Sequence, residues 1–96
     1  MTVIFRQAAE DELINAYDWY EKRRAGLGSK FLHCVETCIV SVQQQPKRYP
    51  VAARDIRQGI VKRFPYTIFY RIEGAHIIVI AVFHSSRDPN IWKRRA

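Results

Sequence analysis

The sequence predicts a single α+β domain over residues 1–96, with an antiparallel-rich small sheet and an N-terminal helical hairpin packed on one face. Three observations lead to this fold class. The first half of the chain has apolar residues at helical spacing, the second half has strand-type runs, and 48% apolar residues are enough to close one modest core. Charged residues make up 26% of the chain, an ordinary globular share that excludes intrinsic disorder.

The first half is predicted to form a short strand and two antiparallel helices. Residues 2–6 alternate in the manner of a strand. Residues 8–24 carry one apolar stripe at a period of 3.6 residues, with acidic residues in the first turns and basic residues in the last. Gly26 is expected to end this helix as a left-handed cap. A second helix is predicted to begin at Gly28 or Ser29 and to end before Pro46, since proline disfavours helix in the preceding residue.

The second half is predicted to be β. Residues 51–55 form a weak strand, residues 57–64 and 66–72 form stronger ones, and residues 76–84 form the strongest. Residues 77–83 are apolar without interruption, which predicts a central strand covered on both faces. This run is far shorter than the roughly 20 residues of a membrane-spanning helix, so no membrane association is expected. The predicted element order is βααβββ(β).

The charge distribution predicts an anionic partner. The chain has a formal net charge of +7, and the part after residue 48 holds nine basic residues against three acidic ones. Such a field attracts nucleic acid or an acidic protein segment, although a solvated basic surface without a partner gives the same composition. No secretory signal is legible at the N-terminus, so a cytoplasmic location is expected. Cys34 and Cys38 are expected to be core thiols, and neither a metal site nor a cofactor is predicted.

Several segments, in this order and spacing, resemble a known family. They are Ala16-Tyr17-Asp18-Trp19-Tyr20-Glu21, Gly26-Leu27-Gly28, Phe64-Pro65-Tyr66 and Ala81-Val82-Phe83-His84, together with Phe31, Pro46, Arg87, Pro89 and Trp92. The chain resembles the RelE/ParE superfamily of toxins from type II toxin-antitoxin modules, and most closely its ParE-like branch. The resemblance implies a toxin neutralised by a cognate antitoxin with an acidic, partly disordered tail. It implies inhibition of DNA gyrase in ParE proteins and ribosome-dependent cleavage of messenger RNA in RelE proteins.

The residues at the RelE catalytic positions favour gyrase inhibition. RelE-type enzymes use a cluster of Lys, Arg and Tyr side chains, whereas this chain has Thr67 in place of a phosphate-holding arginine and Trp92 near the C-terminal tyrosine. The protein is therefore expected to act by binding rather than as an enzyme. The alternative is a messenger RNA endonuclease with an altered centre of His84, Arg87 and Lys62. An inactive toxin fold kept as a binding module is a third possibility.

The resemblance and the residue types nominate a binding surface for the target or the antitoxin. Its candidate residues are Arg57, Arg63, Arg87, Pro89 and Trp92. Each feature also has a structural explanation. His84 can be a hydrogen-bonding residue at a strand end, and Arg87 can pair with Asp88 or cap a turn. Trp19 and Tyr20 are expected to pack between helix and sheet rather than to stack on a nucleic acid.

Overall fold

The computed structural model describes the whole chain, Met1 to Ala96, and confirms the α+β fold class. The helices are α1 (Gln7–Arg23), α2 (Leu27–Gln44) and the short C-terminal α3 (Asn90–Lys93). The strands are β1 (Thr2–Phe5), β2 (Val51–Ala53), β3 (Ile56–Ile60), β4 (Tyr66–Glu73) and β5 (His76–His84). No helix combines the length and the apolar character that a membrane span requires.

All five strands form one sheet in the order β1-β5-β4-β3-β2, in which only the β1–β5 pair is parallel. β5 therefore lies in the interior of the sheet, and every residue from Ile77 to Phe83 is buried, as the apolar run predicts. A β-bulge aligns Phe69 with Ala81 and Tyr70 with Val79, so Ile80 is the extra residue. The bulge places both Ile80 and Ala81 in the core away from the helical hairpin.

The predicted strand over residues 57–64 is wrong at its end. β3 stops at Ile60, and the chain turns through Lys62 and Arg63 before β4 begins at Tyr66. Arg63 has φ of 70°, in the left-handed region that does not continue a strand. Lys62 and Arg63 are therefore exposed turn residues rather than members of the sheet.

One face of the sheet packs against the α1–α2 hairpin. Phe31, Cys38 and Val42 of α2 are buried there, as their stripe predicts. Tyr20 packs against this core and contacts Phe31 with 5.2 Å between ring centroids. Trp19 does not follow the prediction, because 53% of it is exposed on α1.

The turn between the helices is held by Glu21. Gly26 has φ of 88°, as a left-handed position requires, and α2 begins directly after it, slightly earlier than predicted. The N–H groups of Gly26 and Gly28 each donate to the Glu21 carboxylate at 2.9 Å. A Cβ at Gly28 would lie 2.8 Å from the Tyr17 carbonyl oxygen, so the two helices approach too closely there for any side chain.

The other face of the sheet is covered by the C-terminal segment. Trp92 of α3 stacks on Phe69 with 3.9 Å between ring centroids, and only 4% of the indole residue is exposed. Ile80 and Phe83 of β5 are buried in the same cluster. Both faces of β5 are thus covered, and the C-terminal end of the chain is fixed close to the end of that strand.

Candidate functional site

The largest groove in the structure lies between α1 and the C-terminal end of β5. It has a volume of about 840 Å³, and we call it the α1–β5 groove. Its lining combines aromatic, acidic and basic side chains, among them Glu12, Trp19, Tyr66, His84, Arg87 and Arg95. Two of the residues nominated from the sequence, His84 and Arg87, meet in this groove.

Glu12 is the centre of the hydrogen-bond network in the α1–β5 groove. Its carboxylate accepts from the Arg87 guanidinium at 2.6 Å and from two nitrogens of Arg95 at 2.8 and 3.0 Å. It also accepts from the backbone N–H of Val82 at 3.0 Å. The Glu12 side chain is 12% exposed, so these donors replace most of the water that a carboxylate needs. One acidic residue thereby ties α1 to β5 and to the C-terminal segment.

Arg87 is fixed on two sides. Its guanidinium lies over the Phe83 ring, 4.4 Å from the centroid, while it donates to Glu12. The Arg87 side chain keeps 40% of its surface exposed. It does not pair with Asp88, whose carboxylate instead accepts from the Asn90 N–H at 3.0 Å. Arg87 therefore presents an oriented, partly neutralised cation at the rim of the groove.

His84 has one ring nitrogen committed to the backbone. Its Nδ1 accepts from the Ser86 N–H at 3.0 Å and lies 2.8 Å from Ser86 Oγ. Because a backbone N–H can only donate, Nδ1 carries no proton in this arrangement, and the proton of the neutral ring is assigned to Nε2. The lone pair that a general base would use is thus occupied. His84 is arranged to donate a hydrogen bond, with its ring edge-on to Tyr66 at 5.1 Å.

The aromatic wall of the groove comes from α1 and β4. Trp19 is half-exposed, contacts Tyr20 edge-on at 5.1 Å and carries the Arg23 guanidinium 4.1 Å from its ring centroid. Burial is the main cause that raises the pKa of the Tyr66 hydroxyl; Tyr20 adds to the rise, and Arg87 opposes it. Tyr66 therefore stays protonated near neutral pH and offers a hydroxyl rather than a phenolate.

The structure does not bring the three predicted catalytic residues together. Lys62 lies with Arg63 in the β3–β4 turn, and both line a second groove of about 310 Å³ against α2. That groove shares no lining residue with the α1–β5 groove. No lysine lines the α1–β5 groove with His84 and Arg87, and the catalytic role of the three residues stays a prediction.

The remaining nominated residues have different surroundings. Arg57 of β3 donates to the carbonyl oxygens of Lys47 and Tyr49, at 3.0 and 2.6 Å, and so fastens the segment before β2. Pro89 is exposed immediately before α3. Trp92 is buried, so its indole holds α3 on the sheet and offers little surface to a partner. Their roles in binding stay predictions, and Arg57 and Trp92 have evident structural tasks.

Glu12 and Arg95 are the site residues that sequence reasoning missed. In the sequence, Glu12 is one of the acidic residues in the first turns of the predicted helix, where it is expected to complement the helix dipole. A signal was present, because Glu12 lies three residues after Ala9 and four before Ala16, and both alanines are buried. A carboxylate on the buried stripe of a helix needs a cationic partner elsewhere in the chain. The sequence did not indicate that this partner would be the C-terminal Arg95.

Comparisons with known proteins agree with this architecture. A family model described as ParE toxin of type II toxin-antitoxin system, parDE, matches residues 3–89. A solved structure described as the chromosomal ParDE TA system from P. aeruginosa aligns with a TM-score of 0.76 and 18% sequence identity, over 88% of this chain and 95% of that one. At this identity the likeness shows a shared fold. A search of curated proteins found no match. The family match ends before α3, so Trp92 and Arg95 lie outside it.

Proposed function

Since this chain belongs to the ParE toxin family of type II toxin-antitoxin systems, we propose that it inhibits DNA gyrase and is neutralised by a cognate antitoxin with an acidic segment. Its action is then exerted in the cytoplasm, where the chromosome is supercoiled. The α1–β5 groove is the surface that we assign to the target. Tryptophan, tyrosine and arginine are the residue types that dominate binding hot spots, and Trp19, Tyr66 and Arg87 line this groove together.

The observation that supports inhibition by binding is that the polar side chains of the groove are already hydrogen-bonded within the protein. RNA cleavage without a metal needs a free base, a free acid and cations on the phosphate. Here Arg87 is held by Glu12, the basic nitrogen of His84 is held by Ser86, and Lys62 lines a different groove. Groups fixed in this way form a rigid contact surface, because their geometry needs no further ordering when a partner binds.

A comparison of supercoiling and message cleavage tests the proposal. Purified toxin is expected to inhibit gyrase supercoiling and to leave ribosome-bound messages intact in a translating extract. Trp19→Ala should weaken inhibition at least about tenfold, which corresponds to the loss of a binding hot spot. Ile14→Ala is the matched control, because Ile14 is 50% exposed on the same helix and does not line the groove. The control should inhibit like the wild type.

His84→Ala separates the binder from the enzyme. The substitution should weaken gyrase inhibition less than Trp19→Ala does, since the imidazole serves mainly the Ser86 turn. A general acid or base contributes about 10² to 10⁴ in rate, so a catalytic His84 would make the variant almost inactive in cleavage. Codon-positioned cleavage by the wild type that disappears in His84→Ala would replace gyrase inhibition with the nuclease alternative.

The charge of the toxin supports an acidic antitoxin. With a net charge of +7, the toxin should attract an acidic segment over distances greater than a direct contact. Salt screens this attraction, since the Debye length is about 10 Å at 0.1 M ionic strength. We expect the association rate, measured by stopped-flow fluorescence, to fall as salt rises from about 0.05 to about 0.5 M. An association rate independent of salt would exclude electrostatic steering by the toxin.

A further inference from the structure

Polar side chains follow one line along the outer side of α2. His33, Thr37 and Ser41 are exposed and lie four residues apart, so they share one face of the helix. Gln45 takes the next position, directly after the helix ends. The only acidic residue of α2, Glu36, lines a different groove, against β1 and α1. This side of α2 is therefore polar and carries no negative charge.

Two adjoining grooves lie beside this line of side chains, and we call them together the α2 groove. One has a volume of about 310 Å³ and includes Lys62 and Arg63 of the β3–β4 turn. The other has a volume of about 380 Å³ and includes Arg48, the last residue of a short 3-10 turn that follows α2. Both are lined by Ser41 and Tyr49, so they are continuous. None of the residues that line either groove is acidic.

The three cations of the α2 groove are free to bind a ligand. Lys62, Arg63 and Arg48 are exposed, and none of them forms an ion pair. Arg48 donates to the Gln45 side chain at 3.1 Å, which leaves most of its five N–H donors unused. Ser41 accepts from the Tyr49 hydroxyl at 2.7 Å, so its own proton is available to an acceptor outside the protein. The groove thus offers positive charge and a hydroxyl donor to an anionic ligand.

The length of the α2 groove fits a run of phosphates. A helix rises about 1.5 Å per residue, so the line from His33 to Gln45 measures about 18 Å. The phosphates of one strand of duplex DNA follow one another at about 3.4 Å along the helix axis, so about five of them pass beside a line of this length. A single small anion would leave most of the donors in the groove unpaired.

The α2 groove offers little to a single strand or to a protein segment. Single strands are held largely by stacking of their bases on aromatic rings. Tyr49 is the only tyrosine, phenylalanine or tryptophan in the groove, and it is half-buried, with its ring 6.3 Å from that of Tyr70. A protein segment gains affinity by adding to a strand edge, but beside the groove β3 leaves only Ile60 unpaired on that side. These features favour a duplex, whose bases are already stacked and whose phosphates lie outermost.

We propose that the α2 groove binds the phosphate backbone of duplex DNA. Lys62 and Arg63 contact phosphates at one end of the groove, Arg48 contacts a phosphate at the other, and the Ser41 hydroxyl donates between them. Contacts to phosphates carry no information on the bases, so this binding is independent of sequence. The inference goes beyond gyrase inhibition, since the α2 groove shares no lining residue with the α1–β5 groove.

Fluorescence anisotropy of a labelled duplex of about 20 base pairs, with purified toxin alone, tests the proposal over roughly 0.05 to 0.3 M salt. Each phosphate contact contributes about 0.9 to the slope of log K against log salt. Lys62→Gln, Arg63→Gln should therefore reduce the slope by about 1.8 and weaken binding at least about tenfold, and Arg48→Gln should reduce the slope by about 0.9. Lys93→Gln, Arg94→Gln is the control, because it removes equal charge at exposed, ion-pair-free positions on the opposite face of the sheet. Its slope should change by less than about 0.3.

Three results would overturn the proposal. They are no binding of the duplex by the wild type at roughly 0.05 M salt, equal changes of slope in the groove and control variants, and tighter binding of single-stranded RNA or of a glutamate-rich peptide than of the duplex. A duplex of unrelated sequence should bind within about threefold, and a stronger preference would refute binding through the backbone alone. Gyrase takes no part in this assay, so failure of gyrase inhibition and failure of DNA binding are separate outcomes.

Discussion

Replacement of Glu12 by glutamine removes one negative charge from the α1–β5 groove and keeps the size of the side chain. The amide oxygen of glutamine can still accept from Val82 and from one nitrogen of Arg95. The amide nitrogen cannot accept, so the bonds from Arg87 and from the second Arg95 nitrogen are lost. Removal of one partner of a fully buried pair costs about 3 to 5 kcal/mol. Arg95 is 22% exposed and Arg87 is 40% exposed, so solvent compensates part of the loss. We expect a destabilisation of about 2 kcal/mol.

Thermal unfolding followed by circular dichroism measures this loss. In a domain of this size each kcal/mol lowers the Tm by about 4 to 8 °C, so Glu12→Gln should unfold about 10 °C below the wild type. Glu10→Gln is the control, because Glu10 is exposed on the same helix and has no ion pair; its Tm should stay within about 3 °C. A double-mutant cycle should give Glu12 a larger coupling to Arg95 than to Arg87, since Arg95 is less exposed and contacts both carboxylate oxygens. Equal stability of the two glutamine variants would refute the network as a source of stability.

Three further substitutions test the packing and the buried thiol. Trp92→Ala removes the ring stacked on Phe69 and should cost about 3 to 5 kcal/mol in urea unfolding, against less than about 0.5 for exposed Trp19→Ala. Gly28→Ala should cost about 1 to 3 kcal/mol, because the new Cβ meets the Tyr17 carbonyl, whereas Ser29→Ala should be nearly neutral. Burial raises the pKa of the Cys38 thiol from 9.0 to about 11, so native Cys38 should resist iodoacetamide at about pH 8. Because the thiol ionises more readily in the unfolded chain, the free energy of unfolding should fall by up to about 3 kcal/mol as the pH rises from 9.0 to about 11. Cys38→Val should lack this decline.

The parts of the fold that were predictable are those with one dominant local signal. The apolar residues 77–83 predict a strand buried on both faces because any exposed face would leave isoleucines and valines in water. The end of β3 was predicted wrongly because residues 61–64 have strand propensity, whereas the left-handed backbone of Arg63 turns the chain away. The prediction that Trp19 packs between helix and sheet is wrong for a similar reason. Its type predicts burial, but its position on α1 places the ring beside Arg23 at the surface.

The functional surface depends on contacts that no local pattern contains. Glu12 meets Arg87 and Arg95 across 75 and 83 residues of sequence, and only the folded sheet brings them together. The same contacts decide which basic residues of the second half of the chain are neutralised within the protein. Glu12 neutralises part of the charge at the end of β5, whereas Lys62 and Arg63 have no acidic partner. The excess of basic residues therefore does not form one uniform field. Lys62 and Arg63 line a groove without acidic residues, while Arg87 and Arg95 at the α1–β5 groove are already oriented by Glu12.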